Sequence, residues 1–130
     1  MPDNELIQAW LFKAKRDLDT AKIILSELPE YDDMIAFHCQ QTIEKALKAY
    51  LIHLDIEFRP VHDLGYLMNL ISTKDLNFEP FFDKVDEISR YAVQIRYPDA
   101  MITLSGSQIK DAVETADQLL KLVINRIDLI

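Results

Sequence analysis

Three groups of side chains in this 130-residue chain could do chemistry. Gln41, Glu44, Lys45 and Lys48 recur at three- and four-residue spacing, and at about 100° per residue they share one sector of a helix. His62 and Asp63 stand together just after Pro60, and Arg96 is followed by Tyr97, Pro98 and Asp99. Cations beside carboxylates and an imidazole can hold an ionic ligand, pair with one another, or move a proton.

Each group also has a purely structural role open to it. Glu44 and Lys48 are ordered to form an i,i+4 ion pair, which on an exposed helix adds a few tenths of a kcal/mol. His62 fits a turn before Asp63 as a helix cap, and Arg96 fits the end of a helix, where its charge complements exposed carbonyls. What favours a contact surface is the setting of the polar sector. Met34 and Phe37 continue it on one side and Leu51 and Ile52 on the other, whereas a solvated face stays polar along its length.

Metal and phosphate-loop chemistry find little support. His38, His53 and His62 lack HExxH or any other recognised helical ligand spacing, there is one cysteine, and two glycines hardly build a phosphate loop. No cofactor is expected. Cys39 lies on the apolar side of its helix, the place of a small buried hydrophobe. With 14 Lys plus Arg against 22 Asp plus Glu, the net charge of −8 repels a polyanion at long range. A local basic site is still allowed, since screening acts over about 8 Å at physiological salt. The segment MPDNELIQAW is acidic and not a signal sequence, and no run reaches membrane-spanning length. A cytoplasmic protein without membrane contact is expected.

The elements that must position these residues read as helices. The chain is 49% hydrophobic and carries only two glycines and five prolines, too few turn residues for a β-sandwich. Ile7, Trp10, Leu11, Ala14, Leu18, Ala21, Leu25 and Leu28 form the stripe of a first helix from about Asp3 to Leu28, ended by Pro29. Its other side, with Lys13, Lys15, Arg16, Asp19 and Lys22, reads as a solvated face. Asp32 or Asp33 caps a second helix, Met34 to about Leu54, whose apolar face is too broad for a single neighbour. A short third helix spans about Asp63 to Ser72. A fourth begins around Pro80 and stops near Arg96, because Tyr97 precedes a proline. The apolar segment PDAMITL should partly pack. Ser105 and Gln108 form a capping box for a last helix carrying Ile109, Ala112, Val113, Ala116, Leu119, Leu120, Val123 and Ile127. The expected architecture is one domain, residues 1–130. It is an all-α, antiparallel, up-and-down bundle of helices one, two, four and five, with an additional short helix.

Read together, these residues carry a resemblance. Trp10 with Ala14 and Asp17-Leu18, the segment Gln40 to Leu51 (QQTIEKALKAYL), His62-Asp63-Leu64 and Arg96-Tyr97-Pro98-Asp99 resemble the HEPN domain family over nearly the whole chain. The resemblance implies a helical bundle, a homodimer, and pairing with a minimal nucleotidyltransferase as toxin and antitoxin. Some members are metal-independent ribonucleases that use an arginine followed after four to six residues by a histidine. Here Met101, Ile102 and Thr103 occupy those spacings, and no histidine follows Arg96.

Three functions fit. In the first, a dimeric module binds a nucleotidyltransferase partner, or a nucleotide or phosphate ligand. Lys45, Lys48 and Arg96 then meet phosphate while Gln41, Glu44 and His62 orient it, with Tyr97 and Asp99 nearby. In the second, a ribonuclease toxin acts on RNA through Arg96 and a nonstandard His62. In the third, the patch is only a polar seam fixing register in a dimer interface.

Overall fold

The computed structural model describes residues 2–100 and 102–128. Five α-helices follow in order: α1 (Asn4–Glu27), α2 (Asp32–His53), α3 (Leu64–Ser72), α4 (Phe82–Gln94) and α5 (Gly106–Asp128), with 3₁₀ segments at Leu76–Phe81 and Pro98–Ala100. No strand occurs among the described residues.

Helix α2 packs against each of the other four helices. Its composition explains this. Ile35, Cys39, Ile43, Leu47, Tyr50 and Leu51 are buried, and so are Ala36, Ala46 and Ala49, whose small side chains let neighbouring helices come close. Trp10 lies beside Lys48 while Asp17 lies beside His38 and Lys45, so α1 runs antiparallel to α2. Asp32 reaches Leu104 at one end, and Tyr50 shares Asp75 with Arg126 at the other, so α5 runs parallel to α2. Arg96, just beyond α4, lies over Phe37 near the start of α2, which makes α4 antiparallel to it. The up-and-down bundle with α3 as the extra short helix agrees with the sequence reading.

Local signals held where the partner was close in sequence. Asp63 caps α3 by accepting from Tyr66 N at 3.2 Å. Ser105 Oγ accepts from Gln108 N at 3.1 Å, while Gln108 Oε1 accepts from Ser105 N at 2.9 Å. Three expectations need correction. Neither Asp32 nor Asp33 caps α2; Tyr31 holds that position without a side-chain bond, and Asp32 Oδ2 accepts from Leu104 N at 3.3 Å. Pro80 belongs to the 3₁₀ segment capped by Asp75, so α4 begins two residues later, at Phe82. Leu28 is the C-cap of α1 and is exposed. Lys22, exposed as expected, also reaches Asp117 of α5 at 2.9 Å. In the segment after Pro98, Leu104 is buried and Ile102 packs partly against the core, while Met101 lies outside the described residues. No helix of the described residues is long and apolar enough to cross a membrane.

Candidate functional site

Between α2 and α4 lies a cavity of about 340 Å³ lined by Phe37, Gln40, Gln41, His62, Ser89, Ala92, Val93 and Arg96. Phe37, Gln40 and Gln41 come from one face of α2. Ser89, Val93 and Arg96 follow at four and three residues, so they form one face along α4 and its C-terminal turn. His62 enters from the loop before α3. That loop is clamped, because Arg59 N donates to Tyr66 Oη at 3.1 Å and the Arg59 guanidinium sits 4.4 Å from the Tyr66 ring centroid. The same Arg59 contacts hold the Tyr66 phenol below its ordinary pKa.

One layer in from the lining residues is the Glu44–Lys48 pair. Lys48 Nζ donates to Glu44 Oε2 at 3.1 Å, and both side chains are almost entirely out of water. Desolvating two charges is costly, and further polar partners must offset it. Here His62 Nδ1 lies 3.0 Å from Glu44 Oε2, Gln40 Nε2 lies 3.5 Å from Oε1, and the Lys48 ammonium sits 5.4 Å from the Trp10 ring centroid. A carboxylate offers only acceptors, so His62 meets it through an Nδ1–H. The imidazole is thereby oriented, with Nε2 left for something else.

The structure thus brings Gln41, Glu44, Lys48, His62 and Arg96 to one place. Lys45 is turned aside: its ammonium pairs with Asp17, whose other oxygen is 2.9 Å from His38 Nδ1. Tyr97 and Asp99 are exposed in the turn after α4 and do not line the cavity. Arg96 is held by an aromatic face instead of a carboxylate among the described residues, its Cζ 4.8 Å from the Phe37 centroid.

Gln40 and Ser89 were missing from the sequence reading of the site. Gln40 precedes Glu44 by four residues, a spacing that signals a shared helix face. Ser89 precedes Arg96 by seven, two turns along the same face. Cys39, by contrast, is wholly buried outside the cavity, and burial pushes its thiol up to about 12. Among the described residues no three His, Cys, Asp or Glu side chains gather as a metal site.

A cavity lined by a guanidinium and a carboxylate-oriented imidazole has the groups needed to hold a phosphate and to exchange a proton with it. Comparison with known proteins agrees on the family. The HEPN domain model matches residues 7–127. The chain is 33% identical over 99 residues to the Methanocaldococcus jannaschii protein named "Putative toxin MJ1304", an alignment covering 69% of this chain and 62% of that protein. In fold it is similar to the crystal structure of ST0689, an archaeal HEPN homologue, with a TM-score of 0.73, 23% identity, and coverage of 94% of this chain and 98% of that one. The family match extends over nearly the whole bundle, and the chain belongs to the HEPN domain family.

Proposed function

We propose that this chain is a dimeric binding module. Its α2–α4 cavity holds a nucleotide or another phosphate-bearing ligand, and the module docks a minimal nucleotidyltransferase as one half of a cytoplasmic toxin–antitoxin pair. One observation carries the ligand reading. Lys45 is engaged by Asp17 and Lys48 by Glu44, which leaves the Arg96 guanidinium, stacked on Phe37 at the cavity rim, as the candidate cation able to meet an incoming anion. Arg fits this task, since its planar fork can grip two phosphate oxygens at once. The toxin name of the M. jannaschii relative supports the paired-module context.

The test is a thermal unfolding series with inorganic phosphate and with AMP. Wild type should be stabilised, by about 2.7 kcal/mol at a hundredfold excess over Kd, and Arg96→Ala should lose that response. If neither ligand shifts wild type, and Arg96→Ala instead dissociates a dimer, the polar sector is an interface seam and the ligand reading fails.

A second reading has its own support in the 3.0 Å contact between His62 Nδ1 and Glu44 Oε2. A histidine oriented by a buried carboxylate is arranged as a general base, which typically contributes about 10² to 10⁴ in rate. In that reading RNA is cleaved without added metal, and both His62→Ala and Arg96→Ala abolish cleavage. Cleavage that survives both changes rules this reading out.

A further inference from the structure

Gln41 stands in the cavity wall, and the orientation of its side-chain amide is not free. Glu44 is already engaged by Lys48, and a carboxylate cannot donate a hydrogen bond. The part of Gln40 that approaches Glu44 Oε1, at 3.5 Å, is therefore its amino end, Nε2. That choice turns Gln40 Oε1 the other way, where it accepts from Gln41 Nε2 at 2.9 Å. Because Gln40 Oε1 needs a donor, Gln41 must give it an N–H. One polarity is thus handed from the buried ion pair through two amides to the cavity wall, each side chain fixing which end of the next faces it.

At the end of this relay, Gln41 Oε1 and the second N–H of Nε2 have no partner among the described residues. A fixed carboxamide of this kind makes a bidentate pair with a base edge that places an amino group beside a ring-nitrogen acceptor. The cavity volume, about 340 Å³, suits one nucleotide-sized group and little more.

Building on the nucleotide reading above, we infer that Gln41 selects the base: the cavity favours adenine, which offers an exocyclic amino donor beside a ring-nitrogen acceptor, over hypoxanthine. In hypoxanthine a carbonyl oxygen replaces that amino group and the neighbouring nitrogen carries a proton, so both polarities are reversed. With the phosphate held by Arg96, restoring the match requires the base to rotate about its glycosidic bond within the cavity. A glutamine free to flip accommodates either edge equally, so the selectivity depends on the relay. Gln40 is then a positioning residue and Gln41 the one that touches ligand.

The test compares AMP with IMP by calorimetric titration of the full chain. Wild type should prefer AMP by about five- to tenfold, the worth of one hydrogen bond. Gln41→Met should lose the preference while phosphate still binds. Gln40→Leu, a change that suits its buried position, should also lose it, because the freed Gln41 amide can turn either way. This second variant decides the matter if Gln41→Met does not fold. Equal affinities for AMP and IMP in wild type, with Arg96-dependent binding intact, overturn the base-selection inference and leave the binding module standing; so does a preference unchanged in both variants. Absence of binding by both nucleotides and by phosphate overturns both.

Discussion

Lys48 Nζ lies 3.1 Å from Glu44 Oε2, with the two side chains at 6% and 4% relative exposure. The i,i+4 spacing belongs to an ordinary surface pair, but the burial does not. Glu44 also meets His62 and Gln40, both of which line the cavity, so the wall of the cavity rests on a dry ion pair. The stability of the fold and the shape of the cavity wall are therefore coupled through one carboxylate.

Removing one partner of this pair strands the other. Lys48→Met should destabilise the fold by about 3 kcal/mol or more, read from urea unfolding, because the Glu44 carboxylate loses its main counter-charge in a dry site. The double change Glu44→Leu with Lys48→Met should cost much less than the sum of the singles. A loss under about 0.5 kcal/mol for Lys48→Met, the scale of an exposed pair, contradicts the dry arrangement.

Asp75 governs the acid limb of stability. Burial pushes its carboxyl up, but donation from Tyr50 and Asn77 together with the Arg126 charge outweighs this and holds it below the ordinary 3.8. Because the folded pKa is depressed, the contribution is present above pH 3.8 and is lost as pH falls through the lower folded value. Asp117 is half-buried, which pushes its carboxyl up, but its pairing with Lys121 and Lys22 outweighs this and acts in the same direction. Unfolding followed between about pH 5 and about pH 2 should show a falling midpoint, with a shallower slope for Asp75→Asn. An unchanged slope in that variant contradicts the assignment.

Asp75 also accepts from Tyr50 Oη at 2.6 Å and faces Arg126 Nε at 3.3 Å, tying the end of α5 to the turn after α3. Asp75→Ala leaves a buried hydroxyl and a cation without their partner, so a loss of about 2–3 kcal/mol at neutral pH is expected from chemical denaturation.

Cys39 should be silent in the native state. It is fully buried, and its thiol is pushed up to about 12, so thiolate is scarce at neutral pH. Reaction with an aromatic disulfide reagent should track unfolding, rising with urea along the denaturation curve. Rapid labelling without denaturant contradicts this.

Ser105→Ala removes half of the box at the start of α5 and should cost about 1 kcal/mol in thermal or urea unfolding. An unaffected midpoint contradicts a stabilising role for the Ser105 hydroxyl.

Much of the bundle was legible because its signals are local. The stripe from Ile109 to Val123 sets α5, and the Ser105–Gln108 and Asp63–Tyr66 bonds join residues three apart. Misreadings arose where a side chain serves a distant partner. Asp32 looks like a cap, but its carboxylate reaches Leu104, 72 residues away. Lys45 shares the polar sector of Glu44 and Lys48, but Asp17 on α1 draws it aside. Pairing of Glu44 with His62 crosses 18 residues and a proline-containing loop, beyond anything spacing can encode. The sector on α2 was visible as an anomaly of pattern; its burial, and the completion of the cavity by Ser89 and Arg96, required the packing of α4.

The proposed function requires Arg96, stacked on Phe37, to receive a phosphate-bearing ligand in the α2–α4 cavity. Isothermal titration of AMP into wild type and Arg96→Ala, at low and at moderate salt, addresses it directly. Saturable heat in wild type, weakening as salt rises and lost in Arg96→Ala while that variant unfolds at the wild-type midpoint, is the result expected. Equal binding by both proteins, or none by wild type, contradicts it.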